Sequence, residues 1–285
     1  MVRMKDILIA DERHLENMKE AFLKGGSKRM HVLTDFDRTL TKAEVNGKPI
    51  PSVISILRDK DYISRDYSEK AHALANKYRP IEMNPKAPMS EKKKKMEEWW
   101  TQHFNLLIKS GLNIKHLERI VNEGGIQFRE GALEFLKILH KERIPLVIIS
   151  SSGVGDTIPL LLKREKALYD NIHIITNLYE WDKKGNATGV TKPITHVMNK
   201  DERSIKDHPA AFKAIKGRTN VMLLGDSIGD LGMLKGSDYR HLIRVGFLNE
   251  NVEESLKTYR DNFDVVMLND ASMDYVNALI KGMIK

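Results

Sequence analysis

Short apolar runs, each closed by polar or turn-forming residues, recur along the chain and predict a set of buried strands. They occupy residues 31–36, 144–150, 171–177, 220–226, 241–247 and 263–268. Amphipathic helical patterns lie between most of these runs, at 130–142, 154–168, 207–217 and 251–260. A further helical pattern covers 12–24 and ends at a pair of glycines. Strands that alternate with helices predict an α/β fold, in which helices cover both faces of a parallel sheet.

One long interval, from about residue 50 to residue 128, breaks this alternation. It contains no convincing strand pattern, and helical patterns dominate it, notably at 90–111 and 113–124. An insertion of this size after the first strand predicts a second, helical domain that sits over the sheet. We therefore expect a core formed by 1–49 and 129–285 and an inserted domain at 50–128. The alternative is that these helices pack on the flank of the sheet.

The length and the amino-acid composition limit the class of protein. With 285 residues, the chain can bury one sizeable core and still carry a smaller second domain. No apolar stretch approaches the roughly 18 residues that a membrane-spanning helix needs, and the N-terminus lacks a secretory signal pattern. We expect a cytoplasmic protein without a membrane partner, and a monomer.

Cysteine is absent from the sequence. This excludes disulfides and thiolate metal sites. Any metal must then be held by oxygen or imidazole, and carboxylate ligands would favour a hard cation such as Mg²⁺.

The chain carries a formal net charge of +8 at pH 7. Such an excess either binds nucleic acid or attracts small anionic substrates to a pocket. The basic residues are spread along the sequence, apart from the run Lys92 to Lys95. That run lies between glutamates in a helical pattern, which indicates a solvated helix face. We therefore expect a small anionic substrate and no nucleic-acid partner.

The strongest chemical signal is Asp35-Phe36-Asp37-Arg38-Thr39, directly after the first predicted strand. In an open α/β sheet, ligands bind beyond the carboxyl ends of the strands. Two carboxylates separated by one residue can both point into that crevice. One can attack a phosphorus atom while the other donates a proton to the leaving oxygen.

A second acidic group, in Gly225-Asp226-Ser227-Ile228-Gly229-Asp230, follows the strand at 220–226. Asp226 is expected to join Asp35 around Mg²⁺, with Asp230 near enough to support the site. A calcium loop is the competing interpretation. The spacing and the lack of a glutamate at the twelfth loop position argue against it.

Two further elements suit a phosphate. Ser150 and Ser151 follow the strand at 144–150 and precede a helical pattern, so hydroxyl and backbone N–H donors gather there. Lys200 can supply positive charge to a transferring phosphoryl group. Spacing alone would not select this lysine among the many in the sequence.

The ordered set of Asp35, Asp37, Thr39, Ser150 or Ser151, Lys200, Asp226 and Asp230 resembles the haloacid dehalogenase superfamily of phosphotransferases. The segments TDFDRTLT, IEMNP, EEWWT, SSSGVGD, HVMNKDE and LLGDSIGDL further resemble the cytosolic type III 5′-nucleotidases, a family with pyrimidine- and 7-methylguanosine-phosphate-specific members. The resemblance runs from about Gly25 to the C-terminus. It implies a Rossmann-like core with a helical cap inserted between the first and second motifs.

The resemblance also implies a role for each residue. Asp35 would be the nucleophile, Asp37 the general acid and base, and Lys200 a catalytic cation. Mg²⁺ would be held by Asp35, Asp226 and the main-chain carbonyl of Asp37, with Asp230 in support. The phosphate would lie against Thr39, Lys200, and Ser150 or Ser151. Glu82 falls at the family's base-recognition glutamate, and counting from it places His103 at a base-contacting position. Apart from the resemblance, Trp99 or Trp100 could stack on a base, and we expect Trp100 to face it while the other packs in the cap.

These inferences together predict an enzyme. We expect a Mg²⁺-dependent 5′-nucleotidase that hydrolyses nucleoside 5′-monophosphates, either pyrimidine nucleotides such as CMP and UMP or 7-methyl-GMP. The alternative is a phosphatase of another small phosphomonoester on the same fold. A non-enzymatic RNA binder is the remaining alternative, and the set of catalytic residues argues against it.

Overall fold

A computed structural model describes residues 6–60, 62–84, 86–200, 203–235 and 238–284, with only the backbone of residues 203 and 204. The strands are β1 (Ile7–Ile9), β2 (Met30–Thr34), β3 (Glu44–Val45), β4 (Lys48–Pro49), β5 (Leu146–Ile149), β6 (Ile172–Ile175), β7 (Tyr179–Trp181), β8 (Ala187–Val190), β9 (Asn220–Gly225), β10 (His241–Leu248) and β11 (Val265–Leu268). The helices are α1 (Glu12–Gly25), α2 (Val53–Asp59), α3 (Arg65–Met83), α4 (Met89–Lys109), α5 (Ile114–Asn122), α6 (Ala132–Lys141), α7 (Thr157–Arg164), α8 (Arg203–Lys206), α9 (Pro209–Ile215), α10 (Val252–Asn262) and α11 (Asp274–Met283).

The main sheet has seven strands in the order β1-β11-β10-β9-β2-β5-β6. All neighbours pair in parallel except β1, which is antiparallel to β11. Successive residues of β2 point to opposite faces, so Val32 packs in one apolar cluster and Leu33 in another. Every residue of β2 is buried, as expected for a strand with helices on both faces. The predicted α/β fold is confirmed.

The chain reverses its direction of travel across the sheet at β2. Strands β5 and β6 are added on one side of β2, whereas β9 lies on its other side. A crevice forms at such a switch point, beyond the carboxyl ends of the two strands. Thr34 pairs with Leu224 across β2 and β9. The residues that follow these two positions therefore meet in one crevice.

All six predicted sheet strands are present, with ends that differ by a few residues from the sequence patterns. The patterns did not reveal β1, the two hairpins β3–β4 and β7–β8, or the last helix, α11. Strand β1 has only three residues, and the hairpin strands have two to four. Such segments are too short to show a period, and their pairing partners decide their conformation.

The described residues between 50 and 128 contain helices α2 to α5 and no strand, as the sequence predicts. The two connections to this helical segment run side by side: Lys42 N–H donates to Gln127 O at 3.0 Å, and Arg129 N–H donates to Leu40 O at 2.8 Å. The run Lys92 to Lys95 lies on α4, and its side chains are exposed or half-exposed. Within the described residues, none of the helices is both long enough and apolar enough to cross a membrane.

The packing of β10 gives a test of the fold. A Cβ atom added at Gly246 would lie 2.6 Å from Cδ2 of the buried Phe263 ring. Gly246→Ala should therefore lower the free energy of unfolding by about 1–3 kcal/mol, measured by urea denaturation. Gly282→Ala in α11 is the control, because a Cβ there meets open space. This control should be neutral or stabilising by up to about 1 kcal/mol. Equal stabilities of the two variants would contradict the packing described here.

Candidate active site

Three carboxylates meet in the crevice beyond β2 and β9. Asp35 follows β2 directly, and its N–H donates to Leu224 O at 3.0 Å, which continues the pairing with β9. Asp226 follows β9, and Asp230 lies one turn later in a 3₁₀ helix. One carboxylate oxygen from each of the three lies within 4.8 Å of the others. We call Asp35, Asp226 and Asp230 the acidic cluster.

Lys200 places its ammonium group against the acidic cluster. Its Nζ donates to Asp35 Oδ1 and, at 3.1 Å, to Asp230 Oδ1. All three side chains are almost completely buried. Asp230 is itself fixed by Ser227, whose N–H and Oγ donate to Asp230 Oδ2 at 3.0 and 3.1 Å. The predicted catalytic lysine and the two predicted strand-end motifs therefore meet at one point.

The electrostatics of this site reflect burial and like charge. Burial raises the pKa of Asp35 well above its usual range, Lys200 opposes this, and Asp230 adds to it. Burial, with the charge of Asp230, raises the pKa of Asp226 to about 7. Burial opposes the charge of Lys200, but Asp230 and Asp35 outweigh it and raise the pKa of this lysine. The cluster therefore needs positive charge to be fully ionised at neutral pH.

The acidic cluster fits a hard divalent cation. It offers closely spaced carboxylate oxygens, which are the donors that Mg²⁺ prefers. The raised pKa values indicate that one ammonium group does not compensate the negative charge. From the sequence, the main-chain carbonyl group of Asp37 is the predicted third ligand and Asp230 only a supporting residue. In the structure, the carboxylate of Asp230 belongs to the cluster itself.

Asp37 and Thr39 lie in the loop Asp35–Thr41, which leaves β2. Asp37 is half-buried, and burial raises the pKa of its carboxyl group. Thr39 is fully buried, and its Oγ1 has no hydrogen-bond partner in the described part of the chain. A buried hydroxyl group without a partner is costly unless a ligand satisfies it. Thr39 therefore carries a buried hydroxyl group that is available to a ligand, and burial favours the protonated form of the Asp37 carboxyl group.

The serine loop, residues 150–156, follows β5 on the other side of β2. Ser150 is fully buried and its Oγ accepts from Ser152 N–H at 3.1 Å, whereas Ser151 is half-exposed. The loop runs into α7. The geometry does not distinguish Ser150 from Ser151 as a phosphate ligand, and both stay predicted ligands.

Asn177 is a positioning residue that the sequence patterns did not identify. It is fully buried at the end of β6. Its Nδ2 donates to Thr195 O at 2.8 Å and to Ser152 O at 3.0 Å, and its Oδ1 accepts from Thr195 N–H at 2.8 Å. One amide thus joins the serine loop to the segment that carries Lys200. A polar residue at the end of an apolar strand is the signal that could have marked it.

Trp100 of α4 connects the helical segment to the serine loop. A Cβ atom added at Gly153 would lie 2.4 Å from Cζ3 of Trp100, so only a glycine allows this close approach. The Trp100 ring also stacks on Trp99 and Phe104, with centroids 5.8 and 5.4 Å apart. The structure therefore packs Trp100 against the serine loop and places Trp99 in the interior, where it is 9% exposed.

The other two predicted base-binding residues differ in exposure. His103 is buried under the aromatic stack, and its Nε2 lies 3.1 Å from the Tyr67 hydroxyl. Burial lowers the pKa of His103 to about 4, so this ring is neutral at pH 7. Glu82, in the last turn of α3, is half-exposed, and burial raises the pKa of its carboxyl group. Neither residue has a described contact with the acidic cluster.

A cavity of about 370 Å³ opens beside Lys200. Its walls include Lys93 of α4, Met198 and Lys235. Three lysines on one cavity would attract a small anion.

The sequence model of the pyrimidine 5′-nucleotidase (UMPH-1) family matches residues 38–284. The chain belongs to this family. The human 7-methylguanosine phosphate-specific 5′-nucleotidase is 35% identical over 279 residues, which cover 98% of this chain and 92% of that protein. The chain is accordingly a 5′-nucleotidase, a hydrolase of phosphoric monoesters.

Solved structures agree with this assignment. The crystal structure of cytosolic 5′-nucleotidase IIIB bound to cytidine has a TM-score of 0.88 and 27% identity, covering 98% of this chain and 94% of that one. A probable phosphoserine phosphatase from Vibrio cholerae has a TM-score of 0.57 at 12% identity, covering 90% of this chain and 66% of that one, which is a likeness of fold alone. The resemblance to the cytosolic 5′-nucleotidases is confirmed.

The raised pKa of Asp226 predicts how a divalent cation at the cluster would change the stability of the protein. Between the usual pKa of an aspartate and about 7, the folded protein without metal holds more protons than the unfolded chain. Its stability therefore falls as the pH rises through this range. Mg²⁺ bound at the cluster would compensate the ionised carboxylates, and protons would compete with it at acid pH. The increase in Tm on adding Mg²⁺ should be larger at pH 8 than at pH 5.5.

Differential scanning fluorimetry with Mg²⁺ or a chelator measures this difference. At a Mg²⁺ concentration 100 times its Kd, the stabilisation is about 2.7 kcal/mol. Asp226→Asn should remove most of it, whereas the same change at the exposed Asp170 should not. An equal increase in Tm at both pH values would contradict the account of the cluster.

Proposed function

We propose that this 5′-nucleotidase uses Asp35 as its nucleophile, depends on Mg²⁺ and acts on nucleoside 5′-monophosphates. One observation carries the proposal: Asp35, at the end of β2, shares a buried crevice with Asp226, Asp230 and the ammonium group of Lys200. A phosphoryl group brought there would meet a carboxylate nucleophile and positive charge together. Those are the two requirements of phosphoryl transfer to an acidic side chain.

The proposed chemistry has two steps. Asp35 attacks phosphorus, and Asp37 gives its proton to the departing 5′-oxygen of the nucleoside. The phosphoryl group stays on Asp35 as an aspartyl phosphate. Asp37 then takes a proton from the water that hydrolyses this intermediate, which releases phosphate and restores both carboxyl groups.

The environments of the two aspartates support these roles. Burial raises the pKa of Asp37, which favours the protonated form that the first step needs. Asp35 contacts Lys200, and that contact favours its ionised form. Mg²⁺, held by Asp35, Asp226 and the main-chain carbonyl of Asp37, would supply further positive charge against the phosphate.

The phosphate has several donors within the same crevice. We place it against Lys200, Thr39 and either Ser150 or Ser151. The unpartnered Oγ1 of Thr39 supports this placement, because a phosphate oxygen would satisfy it. The main-chain link from Asn177 to Ser152 and Thr195 keeps the serine loop and the lysine segment at a fixed separation.

The helical segment is proposed to act as a cap that selects the base. Trp100 reaches the serine loop at Gly153. The nucleoside of a substrate whose phosphate is bound at this loop would therefore lie near the Trp100 ring. Glu82 could accept hydrogen bonds from a base, and His103 supports the stack beneath Trp100. We assign residues 50–128 to the cap, and 1–49 with 129–285 to the core.

We propose that 7-methyl-GMP is a better substrate than CMP or UMP. A methylated guanine carries positive charge, and stacking on a tryptophan would add about 0.5–2 kcal/mol to its binding. The human relative is named for 7-methylguanosine phosphate, whereas the family model is named for pyrimidine nucleotides.

We also propose a cytoplasmic monomer, as a structural relative is a cytosolic enzyme.

The nucleophile gives the sharpest test of the chemistry. Asp35→Asn should lower kcat by about 10⁴-fold or more, because an amide is a far poorer nucleophile than a carboxylate. Phosphate release from 7-methyl-GMP and CMP with Mg²⁺ measures this loss. Asp170→Asn is the matched control, an exposed aspartate that should leave kcat unchanged. Substantial activity in the Asp35 variant would refute the assignment.

The substrate proposal is tested by steady-state kinetics on a panel: 7-methyl-GMP, CMP, UMP, GMP, AMP, phosphoserine and ribose 5-phosphate. The highest kcat/KM should be found for 7-methyl-GMP. Ribose 5-phosphate, which lacks a base, should lose this advantage. Trp100→Ala should lower the ratio of kcat/KM for 7-methyl-GMP over CMP by about 2- to 30-fold, the loss of its cation–π contribution. An unchanged ratio would exclude Trp100 from base selection, and a kcat/KM for phosphoserine as high as that for the nucleotides would contradict the proposed preference for nucleotides.

A further inference from the structure

Arg129 is the largest side chain that is almost completely buried, with 2% of its surface exposed. A charged side chain is rarely buried to this extent unless every donor is satisfied. Arg129 lies where the chain returns from the helical segment, one residue after Phe128, which bridges to Thr41. The nucleotidase chemistry proposed above gives it no role.

The guanidinium group of Arg129 has five N–H donors, and each has an acceptor. Nε donates to Thr39 O at 2.8 Å, and Nη2 donates to Arg38 O and, at 3.1 Å, to Asn249 Oδ1. Nη1 donates to Ala271 O at 2.9 Å and lies 2.8 Å from Asp270 Oδ1. Its carbon Cζ also lies 4.6 Å from the centre of the Phe247 ring. Two of these acceptors are carbonyl groups of the loop that carries Asp35 and Asp37.

The carbonyl group of Arg38 is held from two sides. Besides Arg129, the Nδ2 of Asn249 donates to it at 3.0 Å. Arg38 itself has φ 58°, in the left-handed region that residues with a Cβ atom seldom adopt. A conformation of this kind persists only where its surroundings hold it. Here Arg129 and Asn249 hold the carbonyl group of Arg38, and Thr41 Oγ1 accepts from its N–H at 2.8 Å.

A second contact, through Asp270, fixes the backbone just after the loop Asp35–Thr41. Asp270, which pairs with Arg129, also accepts from Ala43 N–H at 2.9 Å. Arg38 and Thr39 within the turn contact this buried cation directly, and Ala43 just after the turn is linked to it through Asp270. The loop is anchored on both sides, by Asp35 on β9 and by Ala43 on Asp270. A change of φ at Arg38 must therefore be compensated by the neighbouring residues, and Asp37, which directly precedes Arg38, would shift with them.

We propose that Arg129 is a positioning residue for the active site. It holds Arg38 in the left-handed conformation and thereby aims Asp37 at the leaving oxygen; this rests on the proposed role of Asp37. Lysine cannot replace it, because a single ammonium group lacks the planar fork that reaches several carbonyl groups at once. The guanidinium stays charged at neutral pH, although burial lowers its pKa to about 10.

The first experiment compares two arginines that both donate to main-chain carbonyl groups next to β2. Arg129→Lys should lower kcat by about 10- to 100-fold and change KM by less than about threefold, because misplaced catalytic groups slow the chemical step. Arg218 donates to Ser27 O and Met30 O at the opposite end of β2. Arg218→Lys should lower Tm but leave kcat within about twofold. Equal loss of kcat in the two variants would overturn the proposal.

The second experiment tests whether Arg129 acts through the backbone of Arg38. R38G and R38A both remove the guanidinium of Arg38, and they differ only in the cost of a left-handed φ. With Arg129 intact, the two should have similar kcat. In the R129K background, the kcat of R38G should exceed that of R38A by about 5- to 30-fold, the factor that corresponds to about 1–2 kcal/mol. Equal kcat for the two double variants would overturn the proposal.

Should R129K fail to fold, Asn249→Ala carries the same comparison, because it removes the other donor to Arg38 O. It should lower kcat, and R38G should again exceed R38A in its background; an unchanged kcat would count against the proposal. These outcomes are distinct from a failure of the proposed chemistry, since that failure would appear as activity in the Asp35→Asn variant.

Discussion

The structure depends on the burial of three carboxylates beside one lysine. Asp35, Asp226 and Asp230 come within 4.8 Å of one another, and Lys200 contacts two of them. Such a group repels itself when it is ionised without a further cation. Burial therefore makes the site a strong acceptor of positive charge, which is the property that both cation binding and phosphoryl transfer require. The loops around the site hold this unfavourable arrangement in place.

The scaffold meets that requirement with main-chain contacts. Asp35 continues the pairing of β2 with β9, and Tyr259 donates to the main-chain carbonyl of Asp226. Asn177 joins the serine loop to the segment of Lys200, and Arg129 fixes the loop beyond Asp35. Each catalytic segment thus has a buried polar side chain that binds its backbone. Rigid placement of this kind is what lets a few groups act together.

The sequence predicted the sheet and the acidic motifs because these features are local. Apolar runs mark buried strands, and the residues after Thr34 and Gly225 are read directly from the chain. Lys200 was selected only by resemblance, since no local pattern distinguishes one lysine from another. Arg129 could not be predicted, because its acceptors lie 90 to 142 residues away in the chain. Counting from Glu82 to the family's base-contacting position gave His103, but packing buries that ring beneath Trp100.

The central claim is that the two strand-end motifs and Lys200 serve one cation and one phosphoryl group. Anomalous diffraction from a crystal soaked in Mn²⁺ tests it most directly, because Mn²⁺ takes the same oxygen ligands as Mg²⁺. The account predicts one strong peak in the crevice, bounded by the carboxylates of Asp35 and Asp226. A fully occupied Mn²⁺ site elsewhere, with no peak between these two carboxylates, would contradict it.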